Sequence, residues 1–281
     1  MVQILTDSSA DFELHEFKEL NVKYIPLTVN FGEEEYKEID ELGKDEFYGM
    51  LDKNPNHPKT SQPSTGDFAD VFESIKAQGD EVVCVLISSQ LSGTYQGACL
   101  ARDMLNYEEC YIVDSRSTTA GLKILVELAV KLRDEGKSAR EISECIEDIK
   151  SRLNIYASLD TLEFLRRGGR ISDAAVKIGS IAHLKPIVQV DSRGTVEVPM
   201  KAIGKKRAIS TIIKSFEESN PDTDMPIYLV YSHIKENAME LAEALKKAGY
   251  EIRENKIVNI GAVIGTHVGP NAYGIAYIKR S

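Results

Sequence analysis

Apolar positions in the first half of the chain alternate between short continuous runs and a helical repeat. Three continuous runs predict buried β-strands, at residues 3–6, 82–87 and 111–113. Between the first two runs, apolar side chains recur at i, i+3, i+4 and i+7, the spacing of an amphipathic helix, at Phe68, Val71, Phe72 and Ile75. Ser64 precedes this repeat and Asp67 follows three residues later, a pair that resembles a capping box.

Two further helices are predicted in this half, one after Ser92 and an apolar one over residues 119–132. A charged helix over residues 139–150 follows them. Because strands and helices alternate, we expect βαβ units built around a parallel sheet.

The second half of the chain predicts a mixed sheet covered by helices. Its strand candidates are residues 155–159, 187–190, 196–200, 227–231, 250–253 and 273–278. Asp191 to Gly194 predicts a hairpin turn, and helices are expected over residues 207–218 and 238–247.

The predicted fold class is therefore α/β with two domains. An N-terminal parallel-sheet α/β/α domain spans residues 1–152, and a C-terminal mixed-sheet α/β domain spans residues 153–281. The boundary is expected near Arg152. Since the sequence has no Pro- or Gly-rich linker there, we expect the two domains to pack closely.

The composition excludes some classes of function. With 34 Lys and Arg against 44 Asp and Glu, the net charge is −10, whereas a nucleic-acid-binding surface needs a basic face. The longest strongly apolar run, residues 82–87, is too short to span a bilayer, and no secretory signal is visible at the N-terminus. The four cysteines lack CxxC spacing, which favours a reducing cytoplasmic location without structural zinc.

Hydroxyl-rich loops follow the predicted strands of the first half, at residues 6–9, 88–94 and 114–118, and a fourth covers residues 60–64. Ligands of open parallel sheets bind beyond the carboxyl ends of the strands, so these loops are expected to converge. Helix N-termini and hydroxyls together favour an anion. N-capping is the simpler explanation for any single loop.

No GxSxG, HExxH or GxGxxG motif occurs, and no His, Cys and carboxylate cluster has metal-ligand spacing, so we predict no metal. His267 lies in the glycine-rich segment 260–270, and Arg170 follows two glycines. A packed histidine and a glycine helix cap are the structural explanations for these segments. The remaining histidines are expected on the surface or, for His183, on a helix: His15, His57, His183 and His233.

Seven segments together resemble the DegV family of bacterial fatty-acid-binding proteins. They are ILTDSSAD at 4–11, KTSQPS at 59–64, ISSQLSGTYQ at 87–96, IVDS at 112–115, LEFLRRGGRIS at 162–172, LKPI at 184–187 and IGAVIGTHVGPNAYG at 260–274. They occur in the family's order over almost the whole chain.

The resemblance implies a fatty acid buried in a tunnel between two domains, with its carboxylate bound by Thr60 and Ser92. The residues implied to support that end are Ser61, Gly93, Thr94, Arg170 and His267. It also implies a non-catalytic cytoplasmic lipid-binding protein without a cofactor. Such a protein presents the carboxylate to a separate fatty acid kinase, which makes acyl phosphate for phospholipid synthesis. Transient membrane contact offers a route for lipid transfer.

Two alternatives stay open at this point. The hydroxyl loops and His267 would also suit a hydrolase or an acyl transferase. Helix N-termini would equally suit a small phosphorylated ligand. The basic segment 200–207 fits the family pattern poorly, so a docking role there is in doubt.

Overall fold

The computed structural model describes residues 1–54, 57–172 and 183–280. The strands in this part of the chain are β1 (Val2–Asp7), β2 (Val22–Ile25), β3 (Thr28–Phe31), β4 (Glu34–Lys37), β5 (Lys59–Ser61), β6 (Glu81–Leu86), β7 (Cys110–Asp114), β8 (Leu153–Ser158), β9 (Leu184–Val190), β10 (Val196–Ile203), β11 (Tyr228–Tyr231), β12 (Ile257–Asn259) and β13 (Tyr273–Ile278). The helices are α1 (Leu14–Glu19), α2 (Lys44–Lys53), α3 (Thr65–Ala77), α4 (Thr94–Met104), α5 (Thr119–Asp134), α6 (Ala139–Ile149), α7 (Glu163–Arg167), α8 (Lys205–Glu218), α9 (Lys235–Lys247) and α10 (Ala262–Val268).

The first sheet is parallel throughout, with strand order β2-β1-β6-β7. Helices α3 and α4 cover one face, where Phe68 and Phe72 pack against Leu5 and Cys84. Helices α5 and α6 cover the other face. Because both faces are buried, β6 is almost continuously apolar, which is why its run of hydrophobic residues predicted a parallel strand.

The second sheet is mixed, with strand order β10-β9-β8-β13-β11-β12. Only the β11–β12 pair is parallel among the described pairings; the others are antiparallel. Helices α8 and α9 cover one face of this sheet. Helix α5 packs on the other face and also on the parallel sheet, so one apolar core runs from Ile4 to Ile278 across both.

A small antiparallel sheet, with strand order β4-β3-β5, lies beside the parallel one. Its strand β5 is only three residues long and pairs with β3, which places Thr60 opposite Val29. The sequence pattern predicted a loop over residues 60–64, so the assignment of Thr60 and Ser61 to a loop is wrong. A three-residue strand has no readable period of its own, and its pairing partner lies about 30 residues upstream.

The predicted fold class is confirmed, and so is the capping box at the start of α3. The Ser64 hydroxyl accepts from the Asp67 amide at 3.1 Å, while the Asp67 carboxylate accepts from the Ser64 amide at 2.8 Å. The domain boundary near residue 152 stays a prediction.

The strand predicted over residues 250–253 is wrong. Tyr250 instead packs edge-on against Phe216 with ring centroids 4.9 Å apart, and Ile252 packs against the same core, before the 3₁₀ turn Glu254–Lys256 leads into β12. The alternation of Tyr250 and Ile252 with charged residues reflects packing against a helix and not a ladder of hydrogen bonds.

Two histidines also differ from expectation. His183 occupies a turn with φ 60° before β9, not a helix, and residues 173–182 ahead of it lie outside the described part of the chain. His57 is only partly exposed, because its ring packs 5.5 Å from that of Phe164.

Candidate ligand-binding site

A cavity of about 350 Å³, called the outer cavity here, lies between the parallel sheet, β5 and α10. Its lining residues are Leu27, Thr60, Ser61, Gln62, Ile87, Leu91, Ser92, Gly93, Thr118, Leu165, Arg170, Val196, Val263, Ile264, His267 and Val268. Apart from Thr118, which lies towards the interior, the polar members of this set gather around β5 and the loop after β6. The other members are aliphatic, so the cavity has one polar end and one apolar end.

A smaller space of about 60 Å³, the inner cavity, continues from the apolar end. The two cavities share five lining residues: Thr118, Leu165, Val196, Ile264 and Val268. The inner cavity reaches the mixed sheet, where Ile155, Ala157, Val188 and Val230 line it. Together the two cavities form an apolar path from the polar end into the core between the two sheets.

The polar end joins residues from distant parts of the chain. Strand β5 brings the Thr60 hydroxyl to 2.9 Å from His267 Nε2, at the last turn of α10. On the facing loop, the Ser92 hydroxyl lies 2.8 Å from that of Thr94. Thr94 itself is fully buried and touches the cavity only through Ser92. Six of the seven site residues expected from the sequence therefore line one cavity, and Thr94 supports one of them.

Helix α4 begins at this end of the cavity. Gly93 is its N-cap residue, and the first-turn amides of a helix carry partial positive charge. A Cβ at Gly93 would lie 2.0 Å from Gln62 Oε1. The Gln62 side chain thus packs directly on the helix start, where glycine leaves room for it.

His267 is 8% exposed and is held as a neutral ring. Burial lowers the pKa of His267 to about 3, with smaller contributions from Arg170 and His57. Its Nε2 contacts Thr60, whereas Nδ1 is buried and has no hydrogen-bond partner in the described part of the chain. A neutral imidazole has one donor and one acceptor, so it can either accept from the Thr60 hydroxyl or donate to it.

Arg170 forms hydrogen bonds to backbone carbonyls on two sides of the cavity. Its Nε donates to the Leu91 carbonyl at 3.0 Å, and its Nη1 donates to the Gly168 carbonyl. Burial lowers its pKa, yet a guanidinium stays charged in proteins. Arg166 and Arg167, by contrast, pair with Glu163 on the surface of α7, so only Arg170 of this trio lines the cavity.

Several hydroxyl groups of the predicted loops form structural hydrogen bonds and do not face the cavity. The Ser8 hydroxyl accepts from the Leu27 amide at 3.0 Å, and that of Ser88 donates to the Gly194 carbonyl at 2.8 Å. The expectation that all four loops converge on one ligand is therefore wrong in part. From residues 6–9 nothing lines either cavity, and from residues 114–118 only Thr118 does.

Sequence reasoning missed the apolar wall of the cavity. Leu27 precedes β3, Leu165 lies on α7 and Val196 begins β10, and nothing in the local sequence marks these side chains as the wall of a cavity. The segment 200–207 forms the end of β10 and the start of α8 and does not line either cavity.

Within the described residues, no group of three or more His, Cys, Asp or Glu side chains could hold a metal ion. In the same part of the chain, no helix is long and apolar enough to cross a membrane.

Comparison with known proteins identifies the family of this chain. A family model described as an uncharacterised protein of the DegV family matches residues 1–280. The chain belongs to the DegV family. A DegV domain-containing protein of Lactococcus lactis, YteA, is 37% identical over 99% of this chain and 98% of its own.

Two solved structures of DegV-like proteins share the fold. One, described as a fatty-acid-binding DegV family protein from Thermus thermophilus, is 31% identical and covers 99% of both chains with a TM-score of 0.88. The other, described as a stearic-acid-binding protein from Eubacterium ventriosum, is 25% identical with a TM-score of 0.87, covering 99% of this chain and 98% of its own.

Proposed function

We propose that this DegV protein binds a long-chain fatty acid, with the carboxylate at Thr60 and Ser92 and the acyl chain in the outer and inner cavities. The observation that carries the proposal is the gathering of polar groups at one end of an otherwise apolar path between the two sheets. The fatty-acid-binding descriptions of the Thermus and Eubacterium relatives support the same ligand class.

The polar end suits a carboxylate because it offers donors without burying a free cation. A carboxylate in an apolar pocket needs several hydrogen bonds, or it takes up a proton instead. Hydroxyls at Thr60 and Ser92 and the first amides of α4 can supply them. The Arg170 guanidinium adds positive charge at the same end, and two of its five N–H groups bond backbone carbonyls.

The apolar path supplies most of the affinity. Each methylene removed from water contributes about 0.8 kcal/mol, so a long chain binds mainly through its tail. The deep end is lined by residues that are almost fully buried, such as Val230 and Ala272. Ser61 and Gln62, at the other end, are exposed, so the carboxylate is the part of the ligand nearest to solvent.

That orientation supports a carrier that presents its ligand to another protein. We propose that a fatty acid kinase phosphorylates the carboxylate in place and that the acyl phosphate enters phospholipid synthesis in the cytoplasm. In this scheme Arg170 and His267 stabilise the anion during transfer, and the acyl chain stays in the cavities. Lipid then leaves through the partner or through transient membrane contact.

The test is a ligand analysis combined with two substitutions. Mass spectrometry of lipid extracted from the purified protein is expected to find an unmodified fatty acid near one per chain. Thr60→Val and Ser92→Ala are each expected to weaken binding by about 1–3 kcal/mol, since a charged acceptor loses a donor. Ser74→Ala, an exposed hydroxyl on α3 away from the cavity, is the matched control.

Unchanged affinity in both variants would remove Thr60 and Ser92 from the site. Finding a phosphorylated small molecule in place of a fatty acid would favour the phosphate-binding alternative.

One observation favours a second candidate, a hydrolase or acyl transferase. The Thr60 hydroxyl and His267 Nε2 are 2.9 Å apart, the distance of a nucleophile from its base. The low pKa of His267 argues against it, because a ring that resists protonation is a poor general base. Steady turnover of a long-chain acyl ester or thioester by the purified protein, lost in Thr60→Val, would establish this activity.

A further inference from the structure

Two carboxyl groups from distant segments bind the first turn of α10. Asp11 Oδ1 accepts from the Gly261 amide at 2.9 Å, and Glu38 Oε1 accepts from the Val263 amide at 2.9 Å. Their exposed fractions are 2% for Asp11 and 3% for Glu38. Both carboxyl groups therefore lie in the core, where they accept hydrogen bonds from backbone N–H groups that have no acceptor within the helix.

The two groups converge on the same point. A Cβ at Gly261 would lie 2.4 Å from Glu38 Oε1 and 2.7 Å from Asp11 Oδ1, so only glycine leaves space for both. The second oxygen of each group, Asp11 Oδ2 and Glu38 Oε2, is buried without an aligned hydrogen-bond partner in the described part of the chain, while the nearby hydroxyls of Thr119 and Ser8 lower the pKa of Asp11 and Glu38 less than burial raises it. One proton held by the pair would give these oxygens a donor and an acceptor.

Lys44 offsets the negative charge of the pair only in part: its ammonium lowers the pKa of both carboxyls, against the larger effect of burial, which raises them. The Lys44 ammonium donates to the Asp11 carbonyl at 3.0 Å and pairs with Glu13 at 2.6 Å. Asp7, on β1, adds further negative potential to Glu38. Two ionised carboxylates at this place would thus repel each other with little screening.

The remaining titratable neighbour is a phenol. Tyr48, on α2, donates its hydroxyl to the Ile260 carbonyl at 2.9 Å and stays neutral, because burial raises its pKa. Burial likewise raises the pKa of Glu38 and raises that of Asp11 to about 7. The pair therefore keeps a proton to a higher pH than ordinary carboxyl groups do.

Helix α10 links this pair to the proposed ligand site. The same seven-residue helix contributes Val263, Ile264, His267 and Val268 to the cavity wall. A rotation or shift of its first turn moves His267 at its last turn, because the helix is short and its hydrogen bonds keep it rigid.

We infer that Asp11 and Glu38 share one proton and are positioning residues for His267. The protonated pair fixes the first turn of α10; loss of the proton at alkaline pH loosens the helix, weakens the contact with Thr60 and lowers fatty-acid affinity. The inference rests on the proposed function only for its binding readout.

The test compares pH profiles of binding with an anthroyloxy-labelled stearic acid between about pH 6 and 8.5. In the unmodified protein the Kd is expected to rise by about three- to tenfold across this range, because the proton is lost within it. Asp11→Asn keeps an oxygen acceptor for the Gly261 amide and removes the charge that repels Glu38, so the rise in Kd is expected to leave this pH range. Asp70→Asn, an exposed carboxylate on α3, is the control and is expected to keep the rise.

Hydrogen exchange at the Gly261 and Val263 amides gives a readout that needs no ligand. After correction for the intrinsic rise of amide exchange with pH, the exchange rate of these two amides is expected to increase above neutral pH in the unmodified protein but not in Asp11→Asn. Glu38→Gln provides the same comparison if Asp11→Asn does not fold. Superimposable profiles in the unmodified protein and the folded variant would overturn the inference. Absence of stearic acid binding at every pH, with the exchange difference intact, would overturn the proposed function alone.

Discussion

A single methyl group at Gly168 offers a direct test of the place of His267 in the site. Gly168 ends α7 with φ −73° and ψ −8°, a conformation that any residue adopts, so alanine introduces no backbone strain. Its Cβ, however, would lie 2.0 Å from His267 Nδ1 and 2.7 Å from Cε1. The change therefore acts on the imidazole alone, by steric contact.

The size of the effect follows from these distances. Ordinary van der Waals contact begins near 3.4 Å, so the ring must move by roughly 1.4 Å. A shift of that size breaks the 2.9 Å contact between Nε2 and Thr60. Overpacking of this kind costs about 1–3 kcal/mol of folding stability, and loss of an aligned donor weakens anion binding by about tenfold.

The assay is a fatty-acid titration of Gly168→Ala at a temperature where circular dichroism shows it to be folded. Gly66→Ala is the matched control. Its Cβ would lie 3.5 Å from the Ser64 hydroxyl in the first turn of α3, so it is expected to bind normally and to be as stable as the original chain or slightly more stable. A folded Gly168→Ala protein with unchanged affinity would refute the assignment of His267 to the ligand's polar end.

Three further predictions concern the tail, the transfer step and the absence of phosphorylation by the protein alone. Ala157→Phe fills the inner cavity of about 60 Å³, so the copurified fatty acids are expected to become shorter by mass spectrometry; an unchanged chain-length distribution would exclude the inner cavity as the tail site. His267→Ala is expected to reduce acyl phosphate formation by a cognate kinase more than it reduces lipid binding, and equal losses would leave the histidine with a packing role only. With ATP and magnesium but no kinase, the purified protein is expected to make no acyl phosphate.

Elements that bury both faces, or that carry a local end signal, could be predicted from the sequence. Strand β13 begins and ends at the predicted residues, 273 and 278, because all six of its residues are buried, so side chains on both faces are apolar or aromatic. The start of α3 follows from Ser64 and Asp67 alone. In these cases the physical cause lies within one stretch of chain.

The rest depends on contacts between distant segments. Strand β5 forms because β3 pairs with it. The carboxyl groups of Asp11 and Glu38 accept hydrogen bonds from the helix that starts after Gly261, more than 200 residues later in the sequence. Neither relation leaves a periodic trace in the sequence. The resemblance to a family supplied Thr60 and His267 as site residues, whereas the 2.9 Å distance between them comes from the fold.

The chemistry available at the polar end favours holding an anion over activating a nucleophile. A general base works best when its pKa lies near the operating pH, and burial lowers that of His267 to about 3. The Arg170 guanidinium bonds two backbone carbonyls, so it contributes a fixed positive charge and not a mobile proton. Hydroxyls, helix amides and a fixed charge stabilise a carboxylate at equilibrium without changing it. In the proposed scheme, bond making therefore falls to a partner that brings its own phosphoryl group.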